Sequence, residues 1–394
     1  MRKKIGIIVY ANPDYYPPLI SAIRLLLEEF DLVVISRNHD KPQLVYPNNV
    51  KLYRLGQLKT EREKQKQGKT KKVLEYLTFL IRSVFYIRFF KCSLIYSYDM
   101  HGFLAGLFAS YSGKKIPLIY HNFDITDLKL VRGLSLFVKH FEILFARYAN
   151  KIVFPDINRA RFFKKEANLK YLPEIVINTP LRITQLPLRN LLKEILISKS
   201  INEKVRVLSL HGAIGATSYV MELVQSMVYW PSDTMLILIG WGNEDFLQKV
   251  FSLAHSLNLE KRCLYIPLVP YTELFSYLIG SYLGFALYRP IDIDRVYTAG
   301  GSNKLYECLS LGIPVITNNN PAFREVIDES LVYFANPDSQ EDIVRVVNLA
   351  LSDKEGYLRK SRAAREAHLI KLNYEEQFRP IMAYIREIIK SNNI

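Results

Sequence analysis

Short apolar runs alternate with longer stretches of helical periodicity along almost the whole chain. In the N-terminal half the runs fall at 5–10, 32–35, 94–98, 117–120, 151–154 and 174–177, each closed by turn residues, which predicts buried strands. Between them, residues 17–30, 101–111 and 134–149 repeat apolar positions three and four apart, as helices with one buried face do. Strands that are apolar on both faces and separated by helices assemble as a parallel, doubly wound sheet.

The alternation weakens over 181–204, where prolines and charges interrupt the period, and then restarts. Runs at 205–210, 235–239, 263–267, 283–287, 314–317 and 331–334 predict a second sheet of the same kind. The expected organisation is therefore an N-terminal domain over 1–180, a linker over 181–204 and a second domain over 205–372. Helices at 341–351, 355–370 and 375–390 have no strand left to cross to, so the last, within 373–394, is read as packing back on the first domain. The fold class is α/β, with two facing Rossmann-like domains that bind ligands in the cleft, at the carboxyl ends of their strands.

A length of 394 residues accommodates two cores, and 49% apolar with 23% charged residues excludes a disordered chain. Cys92, Cys263 and Cys308 lie too far apart in sequence for a metal knuckle or a disulfide framework, and a reducing cytoplasm fits them. Met1 to Lys4 followed by an apolar run superficially mimics a signal peptide, but the run meets Asn12-Pro13-Asp14 at once and reads as the first strand. No stretch of about 20 uncharged apolar residues predicts a membrane-spanning helix.

The net charge of +15 calls for an anionic partner. Much of it sits between Lys51 and Lys91, where Lys51, Arg54, Lys59, Arg62, Lys64, Lys66, Lys69, Lys71, Lys72, Arg82, Arg88 and Lys91 face only Glu61, Glu63 and Glu75. The segment 73–90, VLEYLTFLIRSVFYIRFF, is too polar to span a bilayer easily and too apolar for an ordinary exposed helix. Two readings fit. One is a helix in the membrane interface whose preceding lysines meet anionic lipids at about 1 kcal/mol each; the other is a solvated basic loop before a core helix. Nucleic acid is disfavoured, because no reading module accompanies the basic residues. The expected location is cytoplasmic, peripheral on the inner face of the membrane.

Chemistry concentrates at 301–318, GSNKLYECLSLGIPVITN. Ser302 and Asn303 suit a helix N-terminus, whose N–H groups and positive dipole end hold phosphate. Glu307, one turn on and on the same face as Asn303, can accept hydrogen bonds from a ribose. Gly312 ends the helix before an apolar strand. Metal and serine-nucleophile chemistry are disfavoured by the lack of His-Glu-x-x-His, paired cysteines and Gly-x-Ser-x-Gly. The first strand-to-helix loop, NPDYYPP at 12–18, lacks the dinucleotide glycine fingerprint, so it is read as the acceptor side, with Asp14, Tyr15 and Tyr16.

With these motifs the chain resembles nucleotide-sugar glycosyltransferases of the GT-B fold, most closely the retaining group four family with its Ser/Pro-Asn-Lys-Leu-Tyr/Phe-Glu motif. The resemblance covers the chain at the level of architecture and is sharpest over 300–327. It implies that Ser302 and Asn303 meet the donor diphosphate, that Glu307 binds the ribose hydroxyls, and that Gly301 and Leu305 belong to the donor site. Lys304 either adds a cation or points to solvent. Gly212, in the loop from His211 to Tyr219, matches the family's glycine loop; where an arginine commonly follows, Ser218 stands, and Arg289 is the substitute unless it is simply solvated. Ala299 occupies the place of an upstream glutamate that contacts the donor sugar. His121 matches an N-domain histidine that contacts that sugar and is the expected catalytic residue. Asp99 and His101 are either helix-capping or acceptor-binding. The implied activity is metal-free, cofactor-free transfer from a nucleotide-diphosphate sugar to a saccharide or lipid-linked acceptor, with retention. A sugar-nucleotide epimerase of the same fold, or a non-catalytic membrane-associated protein on a decayed transferase fold, are the rival expectations.

Overall fold

The computed structural model describes residues 2–38, 44–57 and 68–391. Lys59, Arg62, Lys64 and Lys66 of the basic tract lie outside the described residues. The chain divides into two compact units, Met1–Ile177 with Gln377–Ile394, and Asn178–Glu376.

The first unit is built on β1 (Lys4–Val9), β2 (Asp31–Asn38), β3 (Val50–Gln57), β4 (Leu94–Tyr98), β5 (Leu118–His121), β6 (Lys151–Phe154) and β7 (Glu174–Ile175). They form one sheet in the order β3-β2-β1-β4-β5-β6-β7, with parallel pairing throughout. Among the described residues its helices include α1 (Pro17–Leu27), α2 (Lys69–Phe89), α3 (Asp99–Tyr111), α4 (Leu134–Phe145) and α5 (Ile157–Glu166). β1 pairs with β2 on one side and β4 on the other, Ile5 facing both Leu32 and Leu94. Strand order therefore reverses at β1/β4, and the loops leaving these two strands diverge at their carboxyl ends.

The second unit repeats the plan. Its strands are β8 (Arg206–Ile214), β9 (Thr234–Gly242), β10 (Cys263–Pro267), β11 (Leu283–Ala286), β12 (Val315–Asn318) and β13 (Val332–Ala335), ordered β10-β9-β8-β11-β12-β13 and parallel. Helices α6 (Leu191–Ser198), α7 (Val220–Ser226), α8 (Glu244–Ser256), α9 (Tyr271–Leu278), α10 (Ile293–Val296), α11 (Asn303–Ser310), α12 (Pro321–Val326), α13 (Gln340–Ser352) and α14 (Lys354–Ile370) surround it. The reversal lies at β8/β11. Leu208, Leu210, Leu236, Leu238, Phe285 and Ile316 form the sheet's share of a buried core closed by Leu223, Val250, Ile343 and Val347 from helices. Helix α15 (Tyr374–Ser391) starts in the second unit and, from Gln377, belongs to the first. There Phe378, Ile381, Ile385 and Ile389 are buried, each worth about 2 kcal/mol in gross transfer terms, and Arg386 pairs with Glu29. Two parallel-sheet, Rossmann-like α/β units, as read from the sequence, are thus observed, with the terminal helix returning to the first.

Three expectations change in detail. β3 was not expected: its residues, VKLYRLGQ, were read as the start of a basic tract, yet they add an edge strand to β2. Residues 181–204, expected as a linker, lie within the second unit and include α6, which Asn190 caps by accepting from Lys193 N. α3 begins at Asp99 rather than His101, with Tyr98 at the cap position.

Candidate functional site

In the second unit the switch point gathers most of the expected donor residues. β8 runs on past its partner β11 into Gly212, which has φ +89°, and pairs there with Gly240 of β9, φ +144°. A Cβ on Gly240 would lie 2.0 Å from the Gly212 carbonyl oxygen, so this close backbone approach needs glycine. The loop then turns through Ser218, whose Oγ donates to the Ala213 carbonyl at 3.1 Å.

Opposite, α11 presents its N-terminus. Ser302 caps it, its Oγ accepting from Leu305 N at 3.3 Å and meeting the Tyr288 hydroxyl at 2.5 Å. The preceding glycine turn is held by Asn178, whose N–H donates to the Gly300 carbonyl at 2.9 Å and whose Nδ2 donates to that of Gly301 at 3.1 Å. Asn303 opens the helix, Leu305 is fully buried beneath it, and the first-turn amides point to the anion-binding end.

Lys304 does not point to solvent. Its ammonium reaches across to Ser218 Oγ at 3.5 Å and lies 5.0 Å from the centre of the Tyr288 ring, with its stem passing Gly212. Burial, together with the charge of Arg295, pushes its pKa down to about 8. A cation thus sits against the glycine loop at the place where Ser218 lacks one. Arg289, the expected substitute, has its guanidinium committed to the Glu222 carboxylate and stacked 4.1 Å from the centre of the Tyr219 ring.

Glu307 is buried, and its Oε2 lies 2.8 Å from His211 Nε2, also buried. His211 is the residue sequence reasoning missed. Its signal was present: it is the polar end of an apolar strand, directly before Gly212. Against the carboxylate Nε2 is the donor, and Nδ1 has no hydrogen-bond partner. Ala299 is fully buried and offers no polar group from its side chain.

In the first unit the expected residues separate by role. His121 ends β5 with no exposed surface; its Nδ1 meets the Tyr96 hydroxyl at 3.1 Å, its ring stacks on Tyr98, and its Nε2 has no partner. Burial lowers its pKa to about 3, so it is neutral. The loop after it is fixed by Glu142 of α4, which accepts from Asn122 Nδ2 at 3.0 Å, and by Arg159 of α5, bound to the Phe123 carbonyl. Asp99 is the first residue of α3. At φ +55° it turns its Oδ1 to accept from Phe123 N at 3.2 Å, tying the ends of β4 and β5 together. His101 stacks on Tyr10, and burial lowers its pKa to about 4. Asp14 is buried and occupied by Arg54 Nη2 at 2.8 Å and the Tyr46 hydroxyl at 2.8 Å. Tyr15 is exposed. Among the described residues no cluster of three or more His, Cys, Asp or Glu side chains can hold a metal ion, and no helix is long and apolar enough to cross a membrane.

Residues 193–367 match the model of the family described as Glycosyl transferases group 1. Among solved structures the chain is similar to sucrose-phosphate synthase from Thermosynechococcus elongatus, at 13% identity and a TM-score of 0.76 over 99% of this chain and 100% of that one. It is similar to Anabaena Alr3699/HepE, solved in complex with UDP and glucose, at 13% identity and a TM-score of 0.74 over 98% of this chain and 100% of that one. WaaG, a glycosyltransferase involved in lipopolysaccharide biosynthesis, shares 14% identity at a TM-score of 0.67 over 95% of this chain and 98% of that one. No curated protein matches the chain by sequence. The chain has the GT-B fold of these glycosyltransferases. Its second unit carries the group 1 glycosyl transferase domain.

Proposed function

We propose that this glycosyltransferase moves a sugar from a nucleotide-diphosphate donor to a saccharide or lipid-linked acceptor of a cell-surface polysaccharide pathway, with retention of anomeric configuration. The observation that carries the donor half is the convergence of the α11 N-terminus, the Lys304 ammonium and the Gly212 loop beside the buried Glu307 carboxylate. Departure of a nucleotide diphosphate from an oxocarbenium-like sugar places negative charge on the phosphate oxygens. Preorganised amides and the Lys304 ammonium stabilise that charge without reorganising at the moment of reaction. Glu307, held by His211 through Oε2, keeps Oε1 for the ribose hydroxyls. Complexes of the Anabaena neighbour with UDP and glucose support a donor of this class. In the first unit His121 is assigned to a substrate hydroxyl through Nε2, the ring atom without a partner.

The acceptor reading rests on α2. One face of this helix, with Tyr76, Phe79, Ser83 and Ile87, is buried, while Leu74, Leu77, Ile81, Phe85 and Phe89 form a second apolar stripe that is exposed. An amphipathic helix with a solvent-facing apolar row fits a peripheral position on a membrane that carries the acceptor.

A thermal-shift screen of UDP-, GDP-, ADP- and dTDP-sugars tests the donor assignment. One nucleotide class should raise the melting temperature, and Glu307→Ala should abolish most of that rise. No shift with any nucleotide, or an unchanged KM and kcat in Glu307→Ala, refutes the donor site.

A further inference from the structure

The amino-terminal edge of the first unit's sheet carries two adjoining cavities of opposite character. One is a 440 Å³ groove between α3 and α4, walled by Leu104, Leu107, Phe108, Phe141, Phe145 and Tyr148, with Ser112 at its lip. The other is a 370 Å³ pocket in which Arg88, Lys91, Lys114 and Lys115 surround the start of β4 and β5. No carboxylate lines either cavity. They meet at Arg88, whose Nε donates to Ser112 Oγ at 3.1 Å. The other Arg88 bonds go to the carbonyls of Ala109, Ser110 and Lys114, neutral groups that cap the end of α3 and leave the guanidinium charge uncompensated. Near Arg88 in the sequence of α2, Phe85 is 57% and Phe89 64% exposed, and Phe108 in the groove wall is 47% exposed.

An apolar trough that opens next to a cationic pocket, with aromatic side chains standing free around both, matches one ligand geometry: a hydrocarbon chain joined to an anionic headgroup. We infer that this edge of the first unit is a docking face for anionic phospholipid, with an acyl chain in the α3/α4 groove and the headgroup phosphate over Arg88, Lys91, Lys114 and Lys115. The inference rests on the membrane-borne acceptor reading and adds to it a location. It moves the contact away from the lysine-rich stretch before α2 and onto the folded base of the sheet. Phosphate binding is electrostatic there and falls with salt, while the groove and the phenylalanines supply the apolar share of the affinity.

The full-length protein is mixed with sedimentable vesicles of phosphatidylcholine alone, or with about one lipid in three replaced by phosphatidylglycerol, at low and high salt. Binding to the anionic vesicles at low salt is expected. Lys114→Glu with Lys115→Glu should reduce the partition coefficient tenfold or more, and Leu107→Ser with Phe108→Ser should reduce it on its own. A phosphatidylglycerol bearing a photoreactive acyl chain should label peptides of α3 and α4. Each variant is first checked for an unchanged nucleotide-induced thermal shift, which shows that it is folded. Failure of the wild type to sediment at low salt, wild-type binding by both double variants, or loss of binding only when Lys71 and Lys72 are neutralised, overturns the inference. A protein that binds nucleotide sugar but no vesicle refutes this face and leaves the transferase reading standing; one that binds vesicles but no nucleotide refutes the latter alone.

Discussion

Removing the Glu307 carboxylate tests the donor site from the inside, because the group is both a ligand and a buried hydrogen-bond acceptor. Its Oε2 sits 2.8 Å from His211 Nε2, and both side chains are almost fully enclosed. Glu307→Ala strands the imidazole N–H in that enclosure. A hydrogen bond to a charged group contributes about 1.5–3 kcal/mol, and an orphaned buried donor adds desolvation cost on top. In a unit of this size each kcal/mol moves the transition by about 2–4 °C, so a fall of roughly 5–10 °C is expected. Glu307→Gln retains an oxygen for His211 and should lose less than half as much. His211→Ala combined with Glu307→Ala should cost clearly less than the sum of the single changes, with a coupling of about 1–2 kcal/mol. The assay is thermal unfolding of the four proteins with and without the nucleotide found by the donor screen. Additive single and double variants would refute the pairing. His211→Ala with an undiminished nucleotide shift would refute the claim that His211 holds Glu307 ready for the ribose.

Lys304 gives a pH signature. With its pKa lowered to about 8, donor binding should weaken as pH rises through that value, and Lys304→Met should bind weakly but flatten the profile between about pH 7 and 9; isothermal titration at several pH values reads this directly, and a parallel decline in the variant would contradict it. His368 predicts an acid limit. It is buried in the second unit, accepts from Ile183 N at 3.0 Å through Nε2, and burial lowers its pKa to about 4. The unfolded chain, with an ordinary histidine value near 6.5, binds more protons between about pH 6.5 and 4, so stability is lost as pH falls through that window. Urea unfolding across it should show a shallower decline in His368→Gln; equal slopes in both proteins would count against the assignment.

What the sequence disclosed follows from what leaves a local trace. Strands such as Leu283–Ala286 and Val315–Asn318 are buried on both faces, and a run of apolar residues records that without help from partners. β3 left a weaker mark: its residues mix charged and apolar side chains without a regular period, and the meaning of Arg54 comes from the buried Asp14 of a distant loop. The α11 motif was legible because cap, helix and carboxylate lie within one turn of each other. His211 was not, since its meaning comes from a partner 96 residues away. Lys304 shows the same limit from the other side, because helical periodicity places its Cα but not a side chain that reaches back to Ser218. Arg289 looked available at a strand end, and only the fold reveals that Glu222 holds it. Asp99 looked like a cap by spacing, whereas its left-handed backbone aims the carboxylate at the next loop.

The return of α15 makes the second unit an insertion within the first. The chain leaves unit one after Ile177 and re-enters it at Gln377, bringing Phe378, Ile381, Ile385 and Ile389 to close its core. During synthesis, the unit begun first is therefore finished last. The second unit is contiguous and can complete its core while the first still waits for the closing residues to leave the ribosome. Until then the place of α15 stands open. A premature stop a few codons before Gln377 would leave the donor half foldable and the other half unsealed, so the final turns of the chain decide whether the earliest-made domain matures.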